Sequence, residues 1–127
     1  MAKELELLSG VYSEMRHTPS GAAVSAGVLT LQGAAYGFPI ADIPDGDEGV
    51  LVLKAENVRV AKEASLAIAA GDLVYFDTSA READKTSTNK LIGTAIKPAA
   101  LADTHVRINF DGTLAALRAL AIADDPA

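Results

Sequence analysis

The stretch Leu66-Ala67-Ile68-Ala69-Ala70-Gly71-Asp72-Leu73-Val74-Tyr75-Phe76-Asp77 constrains the fold of this chain more than any other. Its first half is a short apolar run in which only Ile68 is β-branched, long enough for about one turn of helix. Gly71-Asp72 breaks that run as a turn pair. Leu73–Phe76 is apolar, branched and aromatic, the pattern of a buried strand. Asp77-Thr78-Ser79 closes it with short polar side chains that bond to nearby backbone. The segments before this stretch read as strands leading into it, and those after it as a hairpin returning to it.

From Ala22 onward the pattern is that of β-structure. Val24, Val28, Leu29 and Leu31 form one apolar segment broken by Gly27, and Gln32-Gly33 turns it. In Ala34–Ile43, Tyr36, Phe38 and Ile40 alternate with the period of a half-buried strand. Pro44-Asp45-Gly46-Asp47-Glu48-Gly49 is the strongest turn in the chain. Val50–Leu53 is the next strand. Asn57 can take a left-handed turn conformation at low cost, and Val58-Arg59-Val60 alternates after it. Ser79–Lys90 is polar, mixed in charge and without period, which reads as an exposed loop or a hairpin tip. Leu91–Ile96 is a strand in which Gly93 marks a bulge or a close backbone contact. His105–Phe110 sets Val106, Ile108 and Phe110 against Arg107 and Asn109, the cleanest one-sided strand in the sequence. About seven short strands with glycine-rich turns predict an all-β fold, a small β-barrel or sandwich.

Both ends fall outside this pattern. Leu5, Leu8 and Tyr12 have roughly helical spacing, but Ser9-Gly10 interrupts them. His17-Thr18-Pro19-Ser20-Gly21 is a break. The division expected is therefore an N-terminal arm over 1–20, a β domain over 21–112 and a tail over 113–127. The arm carries an apolar set too large to leave in water, so it docks either on its own domain or on a partner, a sister subunit or another protein. On the second reading its removal leaves the β domain folded. The tail has Leu114, Leu117, Leu120 and Ile122 among alanines, a helix-forming composition. Leu5, Leu8, Tyr12, Met15 and Arg16 of the arm, with Leu114, Leu117 and Leu120 of the tail, are the candidate residues for contact with a partner or a sister subunit.

Composition narrows the function classes. Half of the residues are hydrophobic but only 5% are aromatic, so the core is aliphatic and small. Lys plus Arg is 11 and Asp plus Glu is 17, giving a formal charge of −6. An acidic chain without a basic run argues against nucleic acid as a partner. No segment reaches the roughly 18 apolar residues of a membrane span. The acidic start Met1-Ala2-Lys3-Glu4 does not resemble a signal peptide, so the protein is expected to be cytoplasmic at synthesis.

Catalytic patterns are missing. There is no cysteine for a thiolate site or nucleophile. His17 lies beside a proline and His105 opens a strand, neither with a carboxylate spaced to orient it. No nucleophile elbow, zinc-binding helix or phosphate loop occurs. Asp42, Asp45, Asp47 and Glu48 gather round Pro44, but their spacing fits no calcium loop and they read as a solvated acidic turn. No catalytic residue, metal or cofactor is therefore expected, and a chelator should leave thermal stability unchanged.

Three blocks carry a resemblance. The first is Gly27-Val28-Leu29 with Tyr36-Gly37-Phe38-Pro39-Ile40-Ala41-Asp42-Ile43 and glycines 46 and 49. The second is Val50-Leu51-Val52-Leu53 through Glu56-Asn57-Val58-Arg59-Val60-Ala61-Lys62. The third is Ala70-Gly71-Asp72-Leu73-Val74-Tyr75-Phe76-Asp77, then Leu91-Ile92-Gly93-Thr94-Ala95, then Val106-Arg107-Ile108-Asn109-Phe110. In this order, over roughly Gly21–Gly112, the chain resembles the capsid decoration, or cement, proteins of tailed phages. Asn57 stands where that family usually has glycine, and Phe76 where tryptophan is common. The resemblance implies a compact β domain on the outside of an icosahedral shell, bound to the major capsid protein, commonly as a homotrimer, stabilising the shell without catalysis. The alternative is a small-molecule or glycan-binding β module displayed on the virion. That would need exposed aromatics in a shallow groove, and the chain has only three Tyr and three Phe.

Overall fold

The computed structural model of the chain describes residues 4–123, apart from the side chains of Val11 and of 119–123. In chain order the elements are β1 (Leu5–His17), β2 (Thr30–Gln32), β3 (Ala35–Gly37), β4 (Gly49–Ala61), β5 (Leu73–Asp77), β6 (Glu82–Asp84), β7 (Lys90–Ala95), β8 (His105–Asp111) and α1 (Leu114–Ala123). Six strands form one antiparallel sheet in the order β1-β4-β8-β7-β5-β6, and β2-β3 is a separate hairpin. The fold is all-β and sandwich-like, as the alternation predicts, with a C-terminal helix.

The alternating strands build the core. On β8, Val106, Ile108 and Phe110 are buried while Arg107 and Asn109 face out. Phe76 of β5, Ile92 of β7 and Val58 and Val60 of β4 fill the same interior. Phe38 meets Phe110 edge to face, with centroids 5.3 Å apart, a geometry that adds to the area the rings bury. Gly93 lies opposite Phe110, where a Cβ would come within 2.2 Å of the Asn109 carbonyl oxygen. The glycine is there because the two backbones touch.

The sheet curls until its ends meet at one corner. Lys62, just past β4, bridges Ala83 of β6, and the Glu63 N–H donates to the Ala83 carbonyl at 2.9 Å. Arg81, at the start of β6, grips Glu4, at the start of β1, with Nε to Oε2 at 2.9 Å and Nη2 to Oε1 at 2.7 Å. The same guanidinium donates to the Leu29 carbonyl at 2.9 Å and lies over the Phe76 ring. No β1–β6 ladder exists among the described residues, so the barrel does not close.

Several expectations need correction. The segment read as an arm is β1, paired with β4 from Leu5↔Val60 to His17↔Gly49. Leu5 is fully buried, and its N–H donates to the Gly27 carbonyl at 3.0 Å. The break at Pro19–Gly21 is a turn within the domain: the Gly46 N–H donates to the Pro19 carbonyl and the Gly21 N–H to Asp45 Oδ1, both at 2.9 Å. Leu66–Ala70 holds no helical turn; instead Ile68 pairs with Ala99 through a two-way backbone bridge. Of Ala34–Ile43 only Ala35–Gly37 is strand, with isolated bridges at Phe38 and Ile43. Val50–Leu53 and Val58–Val60 belong to one strand, and Asn57 sits at a bulge in it rather than in a left-handed turn. Ser79–Lys90 contains β6, in which Ala83 and Asp84 are buried. The described residues hold eight strands, in keeping with the roughly seven expected.

The Gly71-Asp72 turn and the helical tail form as expected. Asp72 Oδ2 accepts the Ala69 N–H at 2.9 Å and faces Lys85 Nζ at 3.1 Å. That backbone hydrogen bond first, then Lys85, hold its carboxyl below the ordinary carboxylate range.

Candidate functional site

The titratable side chains that sequence inspection singles out serve structural ends. His17 Nδ1 shares a 2.6 Å hydrogen bond with Gln32 Oε1 of β2, and His105 Nδ1 a 2.8 Å one with Thr104 Oγ1. Asp42 and Asp45 staple loops: Asp42 Oδ1 accepts the Ala26 N–H at 2.7 Å, and Asp45 accepts from Gly21. Among the described residues no group of three or more His, Cys, Asp or Glu side chains is placed to hold a metal ion. Two buried polar residues that the sequence did not flag are also satisfied. Lys62 Nζ donates to the Glu63 carbonyl at 2.8 Å and to the Leu66 carbonyl. Asp84 accepts the Thr86 N–H at 3.1 Å and Asn89 Nδ2 at 2.7 Å.

What remains is surface. The contact candidates on β1 divide by position. Leu5 is core and unavailable to a partner, and Leu8 is half-buried. Met15 turns its methyl onto Gly37 of β3, so close that a Cβ there would lie 2.9 Å from it. Tyr12 is 41% exposed. Arg16 projects to solvent opposite Glu48 at 3.9 Å, a separation and exposure at which an ion pair contributes little.

Bulges create this division. The β1–β4 register shifts between Leu7 and Ser9 and between Ser9 and Tyr12, each time with one extra residue on β1. Gly10, at φ +92°, supplies the left-handed backbone there. Tyr12 consequently stands beside Ile40, itself 51% exposed. An open cleft of about 280 Å³ between Leu7 and Pro39 and another of about 240 Å³ between Tyr12 and Ile43 meet at Ile40. Together they form an apolar strip along β1, edged by Glu6, Glu14 and Asp42.

The tail candidates lie elsewhere. Helix α1 packs on β7 and β3. Arg118 of α1 lies over the Tyr75 ring at 5.1 Å and hydrogen-bonds its hydroxyl. Leu114 is half-buried, Leu117 is 57% exposed, and the side chain of Leu120 lies outside the described residues. A cleft of about 380 Å³ separates α1 from residues 87–91. The β1 and tail candidates thus belong to two surfaces rather than one.

A third surface was not foreseen. Arg59 of β4 and Arg107 of β8 are direct cross-strand partners. With Lys97, His105 and Asp103 they line a cleft of about 180 Å³. Partial burial, and secondarily Arg59, keep the His105 imidazole below its ordinary value, while Glu6 opposes them. The sequence did contain a signal, since Arg59 and Arg107 both occupy outward positions of alternating strands, but only the register shows that they are opposed.

Of the six aromatic residues only Tyr12 is well exposed; Phe38, Tyr75, Phe76 and Phe110 are buried and Tyr36 is half-buried. One tyrosine is a poor platform for sugar stacking. No match was found among curated proteins or among solved structures. A family model described as phage cement protein does match, over residues 12–110, from the exposed half of β1 through β8. That span takes in more than three quarters of the chain and all the strands after β1, and the chain therefore belongs to the phage cement protein family.

Proposed function

We propose that this chain is a structural virion protein that binds the outer surface of a phage capsid and stabilises the shell, as a homotrimer. Its partners are the major capsid protein and its own sister copies, and it meets the shell in the host cytoplasm during assembly. The role calls for no catalysis, metal or cofactor. The observation that carries the reading is the family match across the sheet.

The physical fit is that of a rigid adhesive. A cement subunit has to transmit load between capsid subunits without deforming. A curled antiparallel sheet tied at its corner by Arg81 and Glu4 does this. It also needs apolar surface to bury on the shell, and Tyr12 with Ile40 supplies such a strip on the sheet edge. Leu114 and Leu117 at the tail provide apolar area for contact between copies.

The test mixes purified protein with undecorated mature capsids and images the particles by electron cryomicroscopy. Added density on the outside at three-fold and quasi-three-fold positions is expected, together with a higher disruption temperature of the shells. Bare capsids at saturating protein would overturn the reading. Isolated single copies would overturn only the trimer.

A further inference from the structure

The two ends of the β1–β4 pair carry opposite charge. At one end Arg59 and Arg107 oppose each other across the ladder, an arrangement that costs stability unless an anion sits over it. Among the described residues Arg59 has a single acidic partner, Glu6 at 3.5 Å. Arg107 and Lys97 form no salt bridge among the described residues. Asp103, the acid within the cleft, is turned to the loop backbone and accepts the Ala100 N–H at 2.8 Å. On a chain of net charge −6 this is a concentration of cations, two of the three without a salt bridge among the described residues.

At the other end stands the turn Pro44–Glu48, which leads into Gly49, the β4 residue opposite His17. Asp42, Asp45, Asp47 and Glu48 are all exposed. The turn is fixed: Gly46 is tied to Pro19, Asp45 to Gly21, and the Asp47 N–H donates to the Pro44 carbonyl at 3.1 Å. Asp47 uses its carboxylate in no hydrogen bond or ion pair among the described residues, and Glu48 has only the loose Arg16 contact. Preorganised acids of this kind lose little freedom when they meet a cation.

The ends cannot meet within one molecule. From Gly49 to Arg59 is ten residues of β4, about 30 Å at roughly 3.3 Å per strand residue. We propose that the cleft of Arg59, Arg107 and Lys97 receives the acidic turn, Asp47 and Glu48 foremost, of a second copy of this chain. The contact is head-to-tail, so it propagates from copy to copy and closes into a ring where the rotation between copies allows. It adds a charged contact to the apolar one at the tail in the homo-oligomer proposed above, and rests on that reading of self-association, not on capsid attachment. The occupant is a copy of the chain because the complementary group is present on the chain itself, rigid and with the Asp47 carboxylate unpaired among the described residues, at the end where only a neighbour can use it. Exposed charge pairs are screened by salt, so association weakens as ionic strength rises.

The experiment neutralises one end at a time in the full chain. One variant carries Arg59→Gln and Arg107→Gln, the other Asp47→Asn and Glu48→Gln. All four positions are exposed or half-buried, and circular dichroism verifies that each variant folds. Sedimentation at low and high salt is expected to show that the parent chain associates more tightly at low salt and that each variant associates at least tenfold more weakly. An equimolar mixture of the two variants should form a 1:1 dimer and stop there, because one intact cleft meets one intact turn and the remaining ends are blocked. A parent chain that stays monomeric at low salt, or an oligomer indifferent to both variants, would overturn the proposal. Capsids decorated by non-contacting single copies would also overturn it while leaving capsid attachment intact. Salt-sensitive self-association without capsid binding would do the reverse.

Discussion

β8 and β1 both flank β4, and they are built in opposite ways. β8 alternates without interruption, and each of its inward side chains is core. β1 is nearly twice as long and its register with β4 shifts three times. One end, at Leu5, is as buried as any residue of β8, while the other end shows Tyr12, Glu14 and Arg16 to solvent. A regular strand has one role along its whole length. A bulged edge strand changes faces partway, so it can hold the fold at one end and present a surface at the other. The bulges also twist the open edge away from flat pairing with other sheets.

The largest expected effects test whether the buried end of β1 equals β8. Phe110→Ala should cost about 3–5 kcal/mol and Leu5→Ala about 2–5 kcal/mol, read as shifts in the urea midpoint. Deleting residues 1–20 removes β1 whole and should abolish the cooperative thermal transition. A Leu5→Ala midpoint equal to that of the parent chain would break the comparison and restore β1 to the status of an appendage.

Next comes the corner that joins β1 to the far edge of the sheet. Arg81→Met leaves the Glu4 carboxylate half-buried with the Leu29 N–H, 2.9 Å away, as its remaining donor there. A charged group deprived of its partner costs on the order of 1–3 kcal/mol, and solvent access at this corner places the loss near the lower end. A double-mutant cycle with Glu4→Gln isolates the coupling. A coupling energy of zero would mean that the corner is ornament and that β1 is held by its ladder alone.

The same contrast explains what could be read from the sequence. His105–Phe110 and Leu73–Phe76 announce themselves because their side chains obey a period of two. Leu5–His17 does not, because extra residues near Ser9 and Gly10 reset the alternation and leave leucines at spacings that imitate a helix. β4 shows the same effect: Ala55 and Val58 are both buried although three apart, because three steps on β4 match two on β8. β6 was hidden for another reason. Ala83 and Asp84 are buried by long-range contacts, and Arg81 sits at φ +61°, a conformation that its bonds to Glu4 and Leu29 sustain and that its residue type does not foretell. The apolar candidates were located by residue type, but which of them face solvent depended on register.

At the exposed end, Tyr12→Ser should change stability by no more than about 0.5 kcal/mol, as surface substitutions usually do. It should weaken capsid attachment at least tenfold, or about 1.4 kcal/mol. Thermal melting and a capsid-binding titration give the two numbers separately. Equal affinity for the variant and the parent chain would move the capsid contact away from this strip.

The smallest effect sharpens the view of the β8 side as more than core. His105 opens β8 opposite Ala61, in the cleft with Arg59, Arg107, Lys97 and Asp103. Partial burial and then Arg59 disfavour its imidazolium, so its folded pKa lies below the 6.5 expected of the unfolded chain. Between those two values the unfolded chain binds more protons than the folded one, and stability therefore rises with pH across that interval. The contribution is complete above about pH 6.5 and is lost as pH falls through the folded pKa. A shallow decline in stability below neutrality is expected, and His105→Gln should flatten it. The direct measurement is an NMR titration of the imidazole, first in the parent chain and then in Arg59→Gln, where the pKa should rise. An imidazole that titrates at or above 6.5 in the parent chain would show that Glu6 outweighs Arg59, and the cleft would then be less cationic than its residues imply.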